Sequence, residues 1–526
     1  MKKDTNISFL KGTIALSLSV IITKILGVAF KVPLSYVLGD EGMGYFNTAY
    51  AIYGFFFILC TSGVPKSVML LISEGRAEKS APPTDRSVLK CGLKLFFTIG
   101  TIVSLFIIIG ASFLSRIVGN DRAYLSVIAV APSVLFVSMN GILRGYLNSN
   151  ERLAVIAVSQ LMEASVKLAL GLIFSYVGMK VGANIYVISA LAISGISIGS
   201  AASFFYMLIL SKSINTDNIT EQKSNLQFKS VAKKIVGNAL PIAISASVLN
   251  LSSMLDLAII IRRLVESGES NEYANSIYGN YTTLAVPMFN LVSAVLAPVA
   301  TSFVPRLADY NLQRDKRAFT DLVNRLLIIT IIIAVPMSLS YYFYSFELLD
   351  ILFSVQSSAI GTELLVCLSL GLCFMTCLTV VNTALESKGK IVSTVVSLMI
   401  GGLVKLIASY LLIGRSNIGI MGAPIGTVLS YAVSLAVSLF VLENSGTHVY
   451  AIAKTLLISL VGFFAFYPSY KFLYSTGIIA SSFLRAVFAL AVSFVTYALM
   501  VGLIGILVYK RKVFNMHKKR ERHLSD

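Results

Sequence analysis

The chain has 526 residues, of which 56% are hydrophobic and only 13% charged, with a formal charge of +18 and a mean hydropathy of +0.82. Soluble domains carry about 25% charged residues, so this composition excludes a soluble multidomain protein and predicts a polytopic membrane protein. The basic residues sit in short loops between apolar runs, the pattern that orients membrane helices, and no nucleic-acid partner is expected.

A helix needs about 20 mostly apolar residues to cross a bilayer. Fourteen such segments are predicted, at 9–34, 44–72, 88–113, 123–147, 153–177, 184–211, 234–262, 280–304, 320–345, 362–386, 391–414, 421–442, 451–474 and 479–509. The first carries Lys24 and Lys31 and lacks a small-residue cleavage site, so it reads as a retained helix and not a signal peptide. Most loop lysines and arginines fall on one side of the membrane, together with Lys2, Lys3 and the basic tail. Both termini are therefore expected in the cytoplasm, as an even number of spans requires. The five cysteines have no metal-type spacing with histidine, and neither metal nor cofactor is expected.

The polar stretch 212–233 reads as a cytoplasmic linker between an N-terminal six-helix lobe, 1–211, and a C-terminal one, 234–442. Internal similarity supports two copies. Thr61-Ser62-Gly63-Val64-Pro65-Lys66 is matched by Thr301-Ser302-Phe303-Val304-Pro305-Arg306, and Val166-Lys167-Leu168 by Val404-Lys405-Leu406. Both matches pair a helix with the sixth after it, so the copies run the same way and form a parallel pseudo-two-fold repeat. Helices 13 and 14, within 451–509, and the basic cytoplasmic tail, 510–526, lie outside it. The fold class expected is all-α integral membrane. Helix eight holds Pro287 and Pro298 and is expected to bend or unwind.

Charges inside the spans are costly, about 2.5–3.5 kcal/mol at a helix centre on insertion scales, and usually functional. Lys24 and Lys31 project from nearly one face of the first helix, Lys24 about 22 Å along it. Glu163 and Lys167 are four apart in helix five, either an ion pair that neutralises itself or half of a polar midline, with Gln160 extending the stripe. Asp256 in helix seven is either tethered to Arg262, to Arg263 or to a neighbouring helix, or part of a cavity. Lys405 in helix eleven is the repeat partner of Lys167, while Gly401 stands where the first copy has Glu163. These six are the candidate cavity residues. Arg144 and Glu386, at the inner ends of helices four and ten, are gating or anchoring candidates. The cation excess suits an anionic substrate such as phosphate or pyrophosphate.

No phosphate-binding loop of the G-x-x-x-x-G-K-[ST] type is present, since Gly389-Lys390 continues as Ile391. No Ser/His/Asp set or zinc motif marks an enzyme, and no filter marks a channel. A secondary transporter or a flippase remains.

Residues from about 8 to 440 resemble the multidrug/oligosaccharidyl-lipid/polysaccharide exporter superfamily, in its stage V sporulation protein B and MurJ-like lipid II flippase branch. The landmarks are Phe9-Leu10-Lys11-Gly12-Thr13, Thr23-Lys24-Ile25-Leu26-Gly27, Gly39-Asp40-Glu41-Gly42-Met43-Gly44, Arg144-Gly145-Tyr146, Ser159-Gln160 with Glu163, and Tyr278-Gly279 through Pro287 to Val304-Pro305. Gly389-Lys390 and Gly419-Ile420-Met421-Gly422-Ala423 agree too. The resemblance implies a V of two lobes around a basic cavity, with a groove for a lipid tail at the last helix pair. It also implies alternating access for an undecaprenyl-pyrophosphate-linked sugar in the bacterial cytoplasmic membrane. Such a protein is a transporter and not an enzyme, expected as a monomer, with membrane lipids as partners and a coupling ion or the membrane potential as drive. Another lipid-linked oligosaccharide, or cationic drugs exchanged for a coupling ion, are the competing cargoes. Relatives often carry Arg near Tyr36 and Lys near Leu70, where this chain is uncharged. A sporulation role is not inherited automatically, since the branch includes general cell-envelope flippases.

Overall fold

The computed structural model describes residues 2–77, 85–212, 225–301, 303–351, 353, 355–415, 417–442, 445–475, 484–485 and 488–503. Much of the linker and all of the basic tail lie outside these residues. In chain order the helices are α1 (Lys2–Thr61), α2 (Val64–Ala77), α3 (Asp85–Ile109), α4 (Ala111–Ile117), α5 (Tyr124–Ser149), α6 (Leu153–Lys180), α7 (Ile185–Lys212), α8 (Asn225–Glu266) and α9 (Asn271–Asn280). A π-helical turn, Tyr281–Ala285, joins α9 to α10 (Val286–Thr301). Then come α11 (Val304–Leu312), α12 (Lys316–Asp350), α13 (Val355–Ser369), α14 (Leu372–Ser387), α15 (Ile391–Ile413), α16 (Gly422–Val441) and α17 (Ser445–Ser475). The last helix is α18 (Phe488–Leu503).

Every described element is helical. Among the described residues nine helices are long and apolar enough to cross a membrane, and ten if Ala359–Ser369 and Leu372–Ser387, bent by 46°, form one broken span. The first of the nine, Leu18–Glu74, takes in the first predicted span from Leu18 onward and all of the second. Gly39 separates them, with φ 60° and ψ −173°, a conformation that costs a residue without Cβ little. The break predicted in helix eight is present too. It takes the form of the π turn ahead of Pro287 and a turn at Phe303 ahead of α11. The fold is thus the all-α membrane architecture expected from the sequence.

Two compact units emerge from the packing. One takes the chain to Thr283 together with Ser409–Ile420, and the other takes Leu284–Ala408 and the chain from Met421. The core of the first joins Val64, Val68 and Leu71 of α2 to Ile142 and Tyr146 of α5, Ile156 of α6, Met207 of α7 and Ile235 of α8. In the second, Leu326, Leu327 and Ile331 of α12 pack with Val381 and Leu385 of α14 and Leu439 of α16. An aromatic group of Tyr344, Phe466, Tyr470 and Tyr497 ties α12 to α17 and α18.

Two backbone approaches position the polar residues of the first unit. On α7, a Cβ at Gly195 would lie 2.8 Å from the Gly171 nitrogen, and one at Gly199 would lie 2.6 Å from the Glu163 carbonyl oxygen. The two helices therefore touch main chain to main chain, which sets the height of Glu163 and Lys167. At the other approach, a Cβ at Gly44 would meet the Asn275 carbonyl oxygen at 2.3 Å, and one at Gly279 the Asp40 carbonyl oxygen at 2.2 Å. The segment after Gly39 is thereby pressed against α9. Gly279→Ala must push these backbones apart, and overpacking of this kind costs about 1–3 kcal/mol. The expected result is a lower melting temperature of the purified protein in detergent, and an unchanged one would contradict the contact.

Candidate functional site

Arg144 lies six residues before the turn that follows α5, about 9 Å from its end, and Glu163 ten residues into α6, about 15 Å from its start. Side chains lean toward the N-terminus of their own helix, so on these antiparallel neighbours the two reach toward each other. Arg144 Nη2 donates to Glu163 Oε2 at 2.9 Å. The side chains are 22% and 24% exposed, so the pair is partly shielded, neither surface decoration nor core. Glu163 thus finds its cation across the hairpin and not along α6 at Lys167.

Lys167 is held differently. Its ammonium lies 5.3 Å from the ring centres of both Phe30 and Tyr50, and ring faces attract a cation through their quadrupole. Phe30 is itself located by α6, because a Cβ at Gly171 would fall 2.8 Å from its ring. Thr23, Leu26, Gly27, Phe30, Arg144, Gln160, Glu163, Ala164 and Lys167 enclose a recess of about 260 Å³. Gln160 accepts from Ser19 Oγ at 3.2 Å, which ties the foot of the recess to α1.

Lys31 stands beside this group, close enough to Lys167 for their charges to repel. Its ammonium is 3.5 Å from Asn47 Oδ1 and 3.4 Å from the Thr282 carbonyl oxygen, long contacts that connect it to a network of carboxamides. In that network Asn47 donates to Thr283 Oγ1 at 2.8 Å, and Asn120 donates to Thr48 Oγ1 at 2.8 Å and to Asn275 Oδ1 at 2.6 Å. Asn275 donates to the Glu41 carbonyl oxygen at 2.7 Å, and Asn280 to Asp40 Oδ2 at 3.0 Å. At its exposed margin Arg122 pairs with Glu272 at 3.1 Å.

The remaining candidates are not among the residues that line the recess. Lys24 is exposed on α1 and is not among the lining residues. Asp256 is buried on α8 and accepts from Ser409 Oγ at 3.4 Å. The two arginines one to two turns along α8 are engaged elsewhere: Arg262 donates to the Arg116 carbonyl oxygen, and Arg263 pairs with Glu266 and covers the Tyr410 ring. Lys405 belongs to the second unit, within electrostatic reach of Tyr431. Glu386 is exposed at the end of α14. The structure therefore brings Lys31, Arg144, Glu163 and Lys167 together. Sequence reasoning passed over Phe30, Tyr50 and the four asparagines, although asparagine inside or beside an apolar span was a usable signal.

A family model described as polysaccharide biosynthesis protein matches residues 9–311. The chain belongs to the polysaccharide biosynthesis protein family. Stage V sporulation protein B of Bacillus subtilis (strain 168) is 23% identical over 431 residues, covering 81% of this chain and 82% of that protein. Lipid II flippase MurJ of the same organism is 23% identical over 480 residues, covering 86% of each. A solved structure of lipid II flippase MurJ in an inward closed conformation is similar with a TM-score of 0.69 at 16% identity, over 95% of this chain and 100% of that one. Family and fold together place the chain in the multidrug/oligosaccharidyl-lipid/polysaccharide superfamily, in its flippase branch.

In this family member the carboxamide network makes a measurable claim. Asn120→Ala leaves Asn275 Oδ1 and Thr48 short of a buried donor, a loss of about 1–3 kcal/mol. Asn120→Ala and Asn275→Ala should each lower the melting temperature, and together by clearly less than the sum of the two. Additive shifts would mean that the two amides act independently.

Proposed function

We propose that this protein is a flippase that carries lipid II, an undecaprenyl-pyrophosphate-linked peptidoglycan precursor, from the inner to the outer leaflet by alternating access. The observation that carries the proposal is the charge balance of one cluster. Lys31, Arg144 and Lys167 stand against a single carboxylate, Glu163, within spans that cross a membrane. Cations at that depth are expensive unless an anion meets them, and a pyrophosphate accepts from several at once. The likeness to lipid II flippase MurJ across 86% of both chains supports the same cargo.

The rest of the reading follows from the same premise. The lobes are 1–211 and 234–442, with Lys24, Asp256 and Lys405 completing the cavity and Arg144 and Glu386 near its inner end. The protein is a monomer in the bacterial cytoplasmic membrane with both termini inside. It performs no chemistry on its cargo, and an ion gradient or the membrane potential drives it. The family's description as polysaccharide biosynthesis favours one second reading, export of another lipid-linked oligosaccharide. A cation-coupled drug antiporter would call for the opposite charge balance in the cluster.

Depletion of the gene, with lipid-linked intermediates then assigned to their leaflet, separates the cargoes. Lipid II trapped in the inner leaflet supports the first reading, and a different trapped glycolipid supports the second. Lys24→Ala and Lys405→Ala should each reduce precursor translocation about tenfold, the loss of roughly one charge-assisted contact, with the amount of protein in the membrane unchanged. Normal translocation by both variants would overturn the basic-cavity mechanism.

A further inference from the structure

The Arg144–Glu163 pair is incomplete in a specific way. A guanidinium presents Nε and Nη2 along one edge, spaced to receive two oxygens of a carboxylate or phosphate. Glu163 fills only the Nη2 position, and Nε on the same edge is buried without a hydrogen-bond partner. The second cation of the recess, Lys167, faces two aromatic rings, and no carboxylate among the described residues forms an ion pair with it. Arg144, Lys167 and Glu163 all line the same recess, which therefore carries a net positive charge, with Gln160 as a neutral polar wall.

We propose that this recess is a diphosphate-binding subsite in which Glu163 is a resident counter-ion, displaced from Arg144 by the incoming anion. The proposal rests on the reading of the cargo as a pyrophosphate-linked lipid and adds the residues that would take its phosphates. One phosphoryl group spans Nε and Nη2 of Arg144, satisfying the donor that Glu163 leaves unmet. Lys167, released from competition with any carboxylate of its own, meets the second. When the anion leaves, Glu163 returns to Nη2, so neither guanidinium nor carboxylate is left uncompensated in the emptied recess. Glu163 thus sets how tightly the subsite holds its ligand, and Arg144 is the group through which it acts.

The test is titration of the purified full-length protein in nanodiscs with inorganic pyrophosphate, and separately with undecaprenyl diphosphate. Glu163→Gln, which keeps the shape and removes the charge, should tighten pyrophosphate binding about tenfold. Arg144→Lys, which keeps the charge and removes the fork, should weaken it about tenfold. In the double variant the gain from Glu163→Gln should largely vanish. An equal gain in the Arg144→Lys background would mean that Glu163 acts as a general charge, and the displacement idea would fall. Weakened binding in Glu163→Gln would make the pair purely structural, with the same consequence. If Glu163→Gln does not yield a monodisperse protein, Arg144→Lys alone decides, and unchanged affinity overturns the proposal. Undecaprenyl diphosphate competing with pyrophosphate assigns the subsite to the lipid-linked form, and failure to compete assigns it to a free diphosphate. A translocation assay on the same preparations separates the two levels of inference. Binding that follows the expected pattern without movement of any lipid-linked sugar would sink the flippase reading and leave the subsite standing. Normal movement with binding indifferent to Arg144 would do the reverse.

Discussion

Neither Gly44 nor Gly279 has room for a side-chain carbon, and that exclusion governs how α1 meets α9. With the two backbones in contact, Asn47, Asn120, Asn275 and Asn280 come within hydrogen-bonding distance of partners far away in the chain. Buried amides are costly when unmatched and stabilising when their donors are met, so the network closes only if the approach is close. The same contact brings the Thr282 carbonyl and Asn47 to Lys31, giving a membrane lysine polar neighbours without a carboxylate. A backbone packing constraint thus supports the electrostatics of the site one helical turn away.

In the recess and beside it three kinds of support for charge coexist. Arg144 has an anion, Lys167 has π-faces, and Lys31 has neutral oxygens. Only the first is full ionic compensation. The cluster is therefore stable enough to fold in a low-dielectric setting while keeping two of its three cations short of a counter-ion. That is a suitable condition for binding an anion that must later be released, since a fully neutralised cluster would gain little from it.

The spans were legible because hydrophobicity over twenty residues is a strong, local signal, and the predicted ranges for α5, α6 and α7 agree with the structure to within a few residues. The interruption in helix eight was readable from its prolines, whereas Gly39 drew notice only as a family landmark. Glu163 and Lys167 were noticed because charges stand out in apolar sequence. Their partners were not, because an i,i+4 spacing suggests a pair within one helix, while the actual bond depends on how two helices lean. The asparagines escaped for a different reason: a neutral amide announces its role only through the residue it meets, and Asn120 meets Asn275 across 155 positions. The aromatic faces around Lys167 were hidden in the same way, since phenylalanine and tyrosine are ordinary occupants of a span.

The π turn at Tyr281–Ala285 holds one more residue per turn than the helices on either side. Each residue in an α-helix advances it by about 100°, so the extra one rotates every side chain of α10 by that angle relative to an unbroken α9. Asn280 on one side and Phe289 on the other are therefore out of phase by a single position. When this chain is lined up with its relatives, a one-residue gap at that place is a change of face for a whole span. Counting positions through it without correction would assign lipid-facing and protein-facing roles to the wrong residues downstream.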